Sequence, residues 1–87
     1  MYIVILKKRA AKQHAKLSKD DQERVVAALD ELRENPFTGK KLDGEQAGLW
    51  SVRVWPYRII YMIDKNIVTV TVVAIGQRKD VYRRLRR

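Results

Sequence analysis

Leu49-Trp50-Ser51-Val52-Arg53-Val54-Trp55-Pro56-Tyr57-Arg58-Ile59-Ile60-Tyr61-Met62-Ile63 is the run on which the fold turns. Apolar and polar residues alternate through it, the period of a strand whose side chains point to opposite faces. Trp55-Pro56 interrupts the alternation and predicts a tight turn between strands over about 49–54 and 57–63. Asp64-Lys65-Asn66 predicts a second turn, and the valine-rich run 67–75 a third strand. Both links are short, so the three strands form an antiparallel meander.

Alternation also assigns the faces. Trp50, Val52, Val54, Ile59, Tyr61, Ile63, Val68, Val70, Val72 and Ala74 fall on one side. Ser51, Arg53, Arg58, Thr69 and Thr71 fall on the other, with Ile60, Met62 and Val73 among them. An open face that mixes arginine with aliphatic residues reads as a binding surface. The bland reading of the same face is that the C-terminal segment folds over it.

Upstream, Tyr2-Ile3-Val4-Ile5-Leu6 predicts a short strand, too short to span a membrane and followed by no cleavage signal. A weak helix is read over 8–17. Ser18 then has the chemistry of an N-cap, with Asp20 and Asp21 in the first turn, where the helix dipole favours negative charge. The second helix runs to about Glu34, with Val25, Val26, Leu29 and Leu32 as its apolar stripe, and Asn35-Pro36 stops it. The two helices form a hairpin that covers the apolar side of the meander. Residues 37–48, with Gly39, Gly44 and Gly48, read as a mobile loop. The resulting fold class is α+β: an N-terminal strand, a helical hairpin on one face, a three-stranded meander in one small sheet, and a short basic C-terminal segment. All 87 residues form a single domain.

The net charge of +9 is unevenly distributed. Residues 1–48 carry ten Lys/Arg against eight Asp/Glu, and residues 49–87 carry nine against two. A basic field concentrated in the strand-rich half supplies sequence-independent affinity for polyanions. The second helix is acidic and would repel nucleic acid, so the cationic side lies elsewhere. There is no cysteine, which excludes disulfides and thiolate metal sites. His14 is the sole histidine and reads as exposed filler; no acid cluster has two-metal spacing, so neither a metal nor another cofactor is expected. Trp50 and Tyr61 read as core aromatics and Trp55 as a surface anchor. Arg58 has an ordinary structural alternative, an ion pair with Asp80.

In order and spacing, Leu42-Asp43-Gly44, Leu49–Val54, Tyr57-Arg58-Ile59-Ile60-Tyr61 and Gly76-Gln77-Arg78-Lys79-Asp80-Val81-Tyr82 resemble the RelE/ParE superfamily of bacterial and archaeal toxins over essentially the whole chain. RelE-like members cut mRNA in the ribosomal decoding site; ParE-like members act on DNA gyrase. Carried over residue by residue, the resemblance implies Arg53, Arg58, Arg78 and Tyr82 as the catalytic set. It departs at Ser51, where the RelE-type lysine implicated in proton abstraction is expected, and the general base is left unassigned. The resemblance also implies a cytoplasmic type II toxin with an acidic, RelB-like antitoxin as partner, acting on the ribosome and mRNA. The alternatives are a ParE-like gyrase inhibitor without nuclease activity, or a degenerate toxin that mainly binds its antitoxin.

The chemistry of the set is consistent with RNA. The substrate supplies its own nucleophile, the 2′-hydroxyl, and cleavage needs alignment, stabilisation of developing anion and protonation of the departing oxygen. Guanidinium groups fork onto phosphate oxygens but stay protonated, so they serve the anion and do not shuttle protons. Tyr82 suits base stacking first and acid–base work second.

Overall fold

A computed structural model describes residues 1–77 and 80–81; Arg78 and Tyr82 of the expected site lie outside the described residues. The elements are β1 (Ile3–Leu6), α1 (Lys8–Ala15), α2 (Lys19–Glu34), β2 (Lys40–Lys41), β3 (Trp50–Val54), β4 (Tyr57–Asp64) and β5 (Thr69–Gln77). The strands form one sheet in the order β1-β5-β4-β3-β2. The α+β class, the hairpin of helices and the β3-β4-β5 meander are as expected. The sheet is mixed, because β1 runs parallel to β5, Ile3 opposite Thr69 and Leu6 opposite Val72. Both helices and the strands β2, β3 and β4 lie between the two parallel strands in the chain, so the pair is far apart in sequence.

Ser18 caps α2 as read: its Oγ accepts from the Asp21 N–H at 3.2 Å. Replacing Ser18 by alanine removes a partner from one of the orphan N–H groups of the first turn. The expected loss is about 1 kcal/mol of stability, measured as a lower urea midpoint at unchanged slope. Of the stripe read for α2, Val25, Leu29 and Leu32 are buried, but Val26 is 46% exposed. At about 100° per residue Val26 points a quarter-turn away from Val25, and Ala28 packs on the core in its place.

The main core lies between the helices and one sheet face: Ala10, Val25, Leu29 and Leu32 meet Ile59, Tyr61, Val70, Val72 and Ile75. A second, smaller cluster lies on the opposite face, where Val81 covers Ile60 and Ala74, with Leu42 and Leu49 packed beside them. The open face is therefore partly covered by the chain following β5.

The pattern reading of β5 needs two corrections. The strand starts at Thr69, not 67; Ile67 and Val68 lie in the turn, 63% and 42% exposed. Asp64 Oδ1 accepts from the N–H groups of Asn66 and Ile67, which extends the turn, and Val68 takes a φ of 51°, rare for a β-branched residue. Further along, Ile60 pairs with Ala74 but Tyr61 pairs with Val72, so Val73 has no β4 partner. This extra residue reverses the alternation beyond it. Ala74 faces the small cluster with Ile60 rather than the helices, and Ile75 faces the helices with Ile59.

Residues 37–48 are more ordered than a loop reading allows. They hold two 3-10 turns, Pro36–Thr38 and Gly44–Gln46, and the two-residue strand β2. The Leu42 N–H donates to the Leu49 carbonyl at 2.9 Å, closing the segment onto the sheet. Tyr61 fixes its start by donating from its buried hydroxyl to the Pro36 carbonyl at 2.7 Å. Burial pushes the Tyr61 pKa up to about 12, opposed by a hydrogen bond from the Gly39 backbone. His14 is half-buried rather than exposed, with its Nε2 lacking a hydrogen-bond partner. It sits where α1 turns toward α2, and Gln22 Nε2 donates to its carbonyl at 3.0 Å.

Candidate functional site

The Trp55-Pro56 turn, with a cis peptide bond between the two residues, decides the register of the β3–β4 hairpin. It sets Val54 opposite Tyr57 and Arg53 opposite Arg58. Residues directly opposite share a face with Cβ atoms about 4.5–5.5 Å apart, and like charges in such a pair repel. Both arginines lie on the face away from the helices, and together with Trp55, Pro56 and Tyr57 they line a small cleft. Arg53 is exposed and Arg58 half-buried.

Arg58 does not pair with Asp80. Its Nη1 donates to Ser51 Oγ at 3.3 Å, across the hairpin on the same face. Ser51 is only 2% exposed, so its hydroxyl steers the guanidinium and is not presented to solvent. Among the described residues that line the cleft there are two arginines and no acid, an arrangement that an anion bridging both would stabilise.

Of the four expected site residues, Arg53 and Arg58 are brought together; Arg78 and Tyr82 lie outside the described residues. One further cation joins the same face. In β2 Lys40 stands directly opposite Ser51, whereas Lys41 stands opposite Trp50 on the other face. Lys40 escaped the sequence reading because two lysines carry no strand period. Leu42 and Leu49, the apolar residues that close β2 onto the sheet, were the available signal.

The turn end of the hairpin is tied to α2. Tyr57 Oη donates to Asp21 Oδ2 at 2.9 Å, Arg24 pairs with Asp21, and Arg24 Nη1 donates to the Trp55 carbonyl at 2.8 Å. The Tyr57 and Arg24 hydrogen bonds hold the Asp21 carboxyl below its ordinary pKa, and the same contact raises that of Tyr57. A depressed folded-state carboxyl stabilises above its unfolded pKa, near 4, and loses that contribution as pH falls through the folded value. Wild type is therefore expected to be more stable than Tyr57→Phe at pH 7. The two denaturation midpoints should converge as pH falls below about 4; a constant gap would remove Asp21 as the cause.

These features define a small toxin fold, a helix hairpin on a mixed sheet that presents paired arginines on its free face. The chain belongs to the RelE/ParE superfamily of type II toxin–antitoxin toxins: the family model for the ParE toxin of the type II toxin-antitoxin system parDE matches residues 4–82. Toxin RelG of Mycobacterium tuberculosis is 39% identical over 67 residues, 70% of this chain and 77% of that protein. Among solved structures, the toxin–antitoxin complex RelBE2 from Mycobacterium tuberculosis superposes with a TM-score of 0.82 at 33% identity, covering 88% of this chain and 98% of that one. The isolated E. coli RelE toxin superposes with a TM-score of 0.76 at 27% identity, covering 97% and 94%.

Proposed function

We propose that this chain is a ribosome-dependent endoribonuclease that cuts mRNA in the decoding site and thereby stops translation. The observation that carries the reading is the Arg53–Arg58 pair, two like charges set opposite each other, with Arg58 steered by a buried serine. The substrate's 2′-hydroxyl gives up its proton to water as its oxygen attacks the adjacent phosphorus; the bond from phosphorus to the 5′-oxygen breaks, leaving a 2′,3′-cyclic phosphate, and the departing 5′-oxygen takes up a proton from water. Arg53, Arg58 and Arg78 hold the phosphate oxygens as negative charge develops. Lys40, on the same face across β3, adds a further point charge for the entering strand. Tyr82 stacks on a base next to the cut. Ser51 positions Arg58 rather than acting as a base, and alignment of the messenger by the ribosome contributes the rest of the rate.

The physiological partner is an acidic antitoxin, flexible when free, that wraps the sheet and covers the arginines. The relationship to a toxin solved with its antitoxin supports this reading. So does the apolar surface on Ile3, Ile5 and Met62, which are 62%, 50% and 38% exposed. Incubating the protein with programmed ribosomes and mapping mRNA ends tests the enzyme. New ends within the decoding-site codon are expected, and none at excess protein would reject it. A gyrase inhibitor is the second reading, favoured by the ParE family match and by the burial of Ser51. Inhibition of DNA supercoiling without ribosomal cutting would establish that reading instead.

A further inference from the structure

Trp55 contributes its side chain to neither core cluster. It is 72% exposed at the tip of the β3–β4 hairpin. Tyr2, Phe37, Trp50 and Tyr61 form one chain of ring contacts: Tyr2 edge-on to Phe37, Phe37 edge-on to Trp50, and Trp50 stacked with Tyr61. Trp55 stands outside that chain, and among the described residues its indole has no ring or cation partner. A lone exposed apolar residue is ordinary. Trp55 differs in how firmly it is held and in what it is held beside.

The backbone beneath the ring is fixed from both sides. Arg24 Nη1 donates to the Trp55 carbonyl at 2.8 Å, and Tyr57 Oη donates to Asp21 Oδ2 at 2.9 Å. Pro56 lies between these ties, with its φ locked by its own ring. Trp55 follows Arg53 by two residues, about 7 Å along the chain, and shares one small cleft with Arg53, Pro56, Tyr57 and Arg58. An indole has only two side-chain torsions, so ordering it under a ligand costs little. The cleft measures about 60 Å³, whereas a pocket that encloses a small ligand holds about 300 Å³ or more. A ligand on this ring therefore lies over its face and is not swallowed by the protein.

We propose that Trp55 is a stacking platform for an unpaired base of the RNA strand whose phosphate Arg53 and Arg58 bridge. This deepens the ribonuclease reading, rests on it for the identity of the strand, and adds a second platform to Tyr82. Sites for single strands combine cations that follow the backbone with aromatic faces on which bases stack. A fixed, unpartnered ring beside two guanidinium groups is that combination in small form. Every base has a π-face, and a platform that does not enclose the base leaves its edges unread, so Trp55 accepts any of the four bases. A protein partner is the competing occupant. An aromatic anchor for a protein sits in a packed patch that excludes water. The exposed aliphatic residues Ile3, Ile5, Ile67 and Val68 lie instead on β1 and the β4–β5 turn, toward the other end of the eight-residue β4.

The test uses an unpaired RNA of about six nucleotides and the same ribose–phosphate chain without bases, which keeps the charge and removes the stacking surface. The base-bearing RNA should quench the indole emission of wild type, and the abasic chain should not. Trp50, stacked on Tyr61, supplies a constant background. Trp55→Ala should bind the base-bearing RNA about 5- to 100-fold more weakly. Its slope of log affinity against log salt should match wild type, because no phosphate contact is lost. Trp55→Phe keeps a ring and should retain most of the affinity. The ring is largely exposed, so its removal leaves both cores intact. Equal affinity of wild type and Trp55→Ala for the base-bearing RNA would overturn the inference. So would an equal loss on the abasic chain, which would make the ring a support for the arginines. Unchanged RNA binding with weakened binding of an acidic antitoxin peptide would overturn it in favour of a protein anchor. Base-dependent quenching in a protein that cuts no mRNA on programmed ribosomes would sink the ribosome reading and leave Trp55 as placed. Ribosomal cutting by Trp55→Ala at the wild-type rate, with no quenching of wild type by RNA, would do the reverse.

Discussion

Arg58→Ala is expected to lower ribosome-dependent mRNA cleavage about 10²- to 10³-fold, the usual cost of removing one donor to developing negative charge. The same change should leave the folded state as stable as before, or slightly more stable. Arg58 faces Arg53 across the hairpin, and removing one of two opposed like charges relieves repulsion. Loss of activity with unchanged or raised stability is the signature of a residue held for its chemistry. Arg58→Lys should recover part of the loss, because charge returns without the two-pronged fork. Ser51→Ala should fall between, since it frees the guanidinium that Ser51 Oγ steers. The readouts are single-turnover cleavage on programmed ribosomes and a urea midpoint for each variant. Undiminished cleavage by Arg58→Ala would separate the arginine pair from the reaction, and a fall of several kcal/mol in stability would make it structural.

The second large effect is purely structural. Gly39→Ala should destabilise the fold by about 2–3 kcal/mol, as overpacking a filled site does. A Cβ at residue 39 would overlap the Tyr61 hydroxyl and stand 2.8 Å from the Ser51 carbonyl oxygen. The backbone here is extended with φ −77°, so the requirement is close approach rather than an unusual dihedral. Tyr61→Phe alone should cost about 1 kcal/mol for the hydrogen bond to the Pro36 carbonyl. In the double variant the hydroxyl no longer obstructs the methyl group, so the combined loss should be smaller than the sum. Some penalty remains because the Ser51 carbonyl does not move away. Denaturation midpoints of the four proteins measure the coupling; strict additivity would show that the loop yields elsewhere.

How much of this architecture was legible depends on which physical signal each part carries. The strand faces were readable because apolar and polar residues alternate from Trp50 to Val54 and a two-residue turn then sets Arg58 facing Arg53, which carries the same faces through the apolar run Ile59–Ile63. The start of α2 was readable because Ser18, Asp20 and Asp21 carry capping and dipole chemistry. The reversal at Val73 was hidden, because an extra valine in a valine-rich strand leaves the composition unchanged while inverting every face beyond it. The strand β2 was hidden by its length and its two lysines. Pairing of β1 with β5 is a long-range choice for which no local pattern codes. For the site, Arg53, Arg58 and the steering role of Ser51 can be described, whereas the expected contributions of Arg78 and Tyr82 rest on family resemblance.

The parallel pairing of β1 with β5 has a bearing on how such a toxin is made. Residues 3–6, synthesised first, find their hydrogen-bonding partners only at residues 69–72. Until that late segment has emerged, the helices have no finished sheet on which to rest and the arginine hairpin lacks its central neighbour. The sheet of a nascent chain is thus completed only once residues 69–72 have been made, and the surface that carries Arg53 and Arg58 takes its final form late in synthesis.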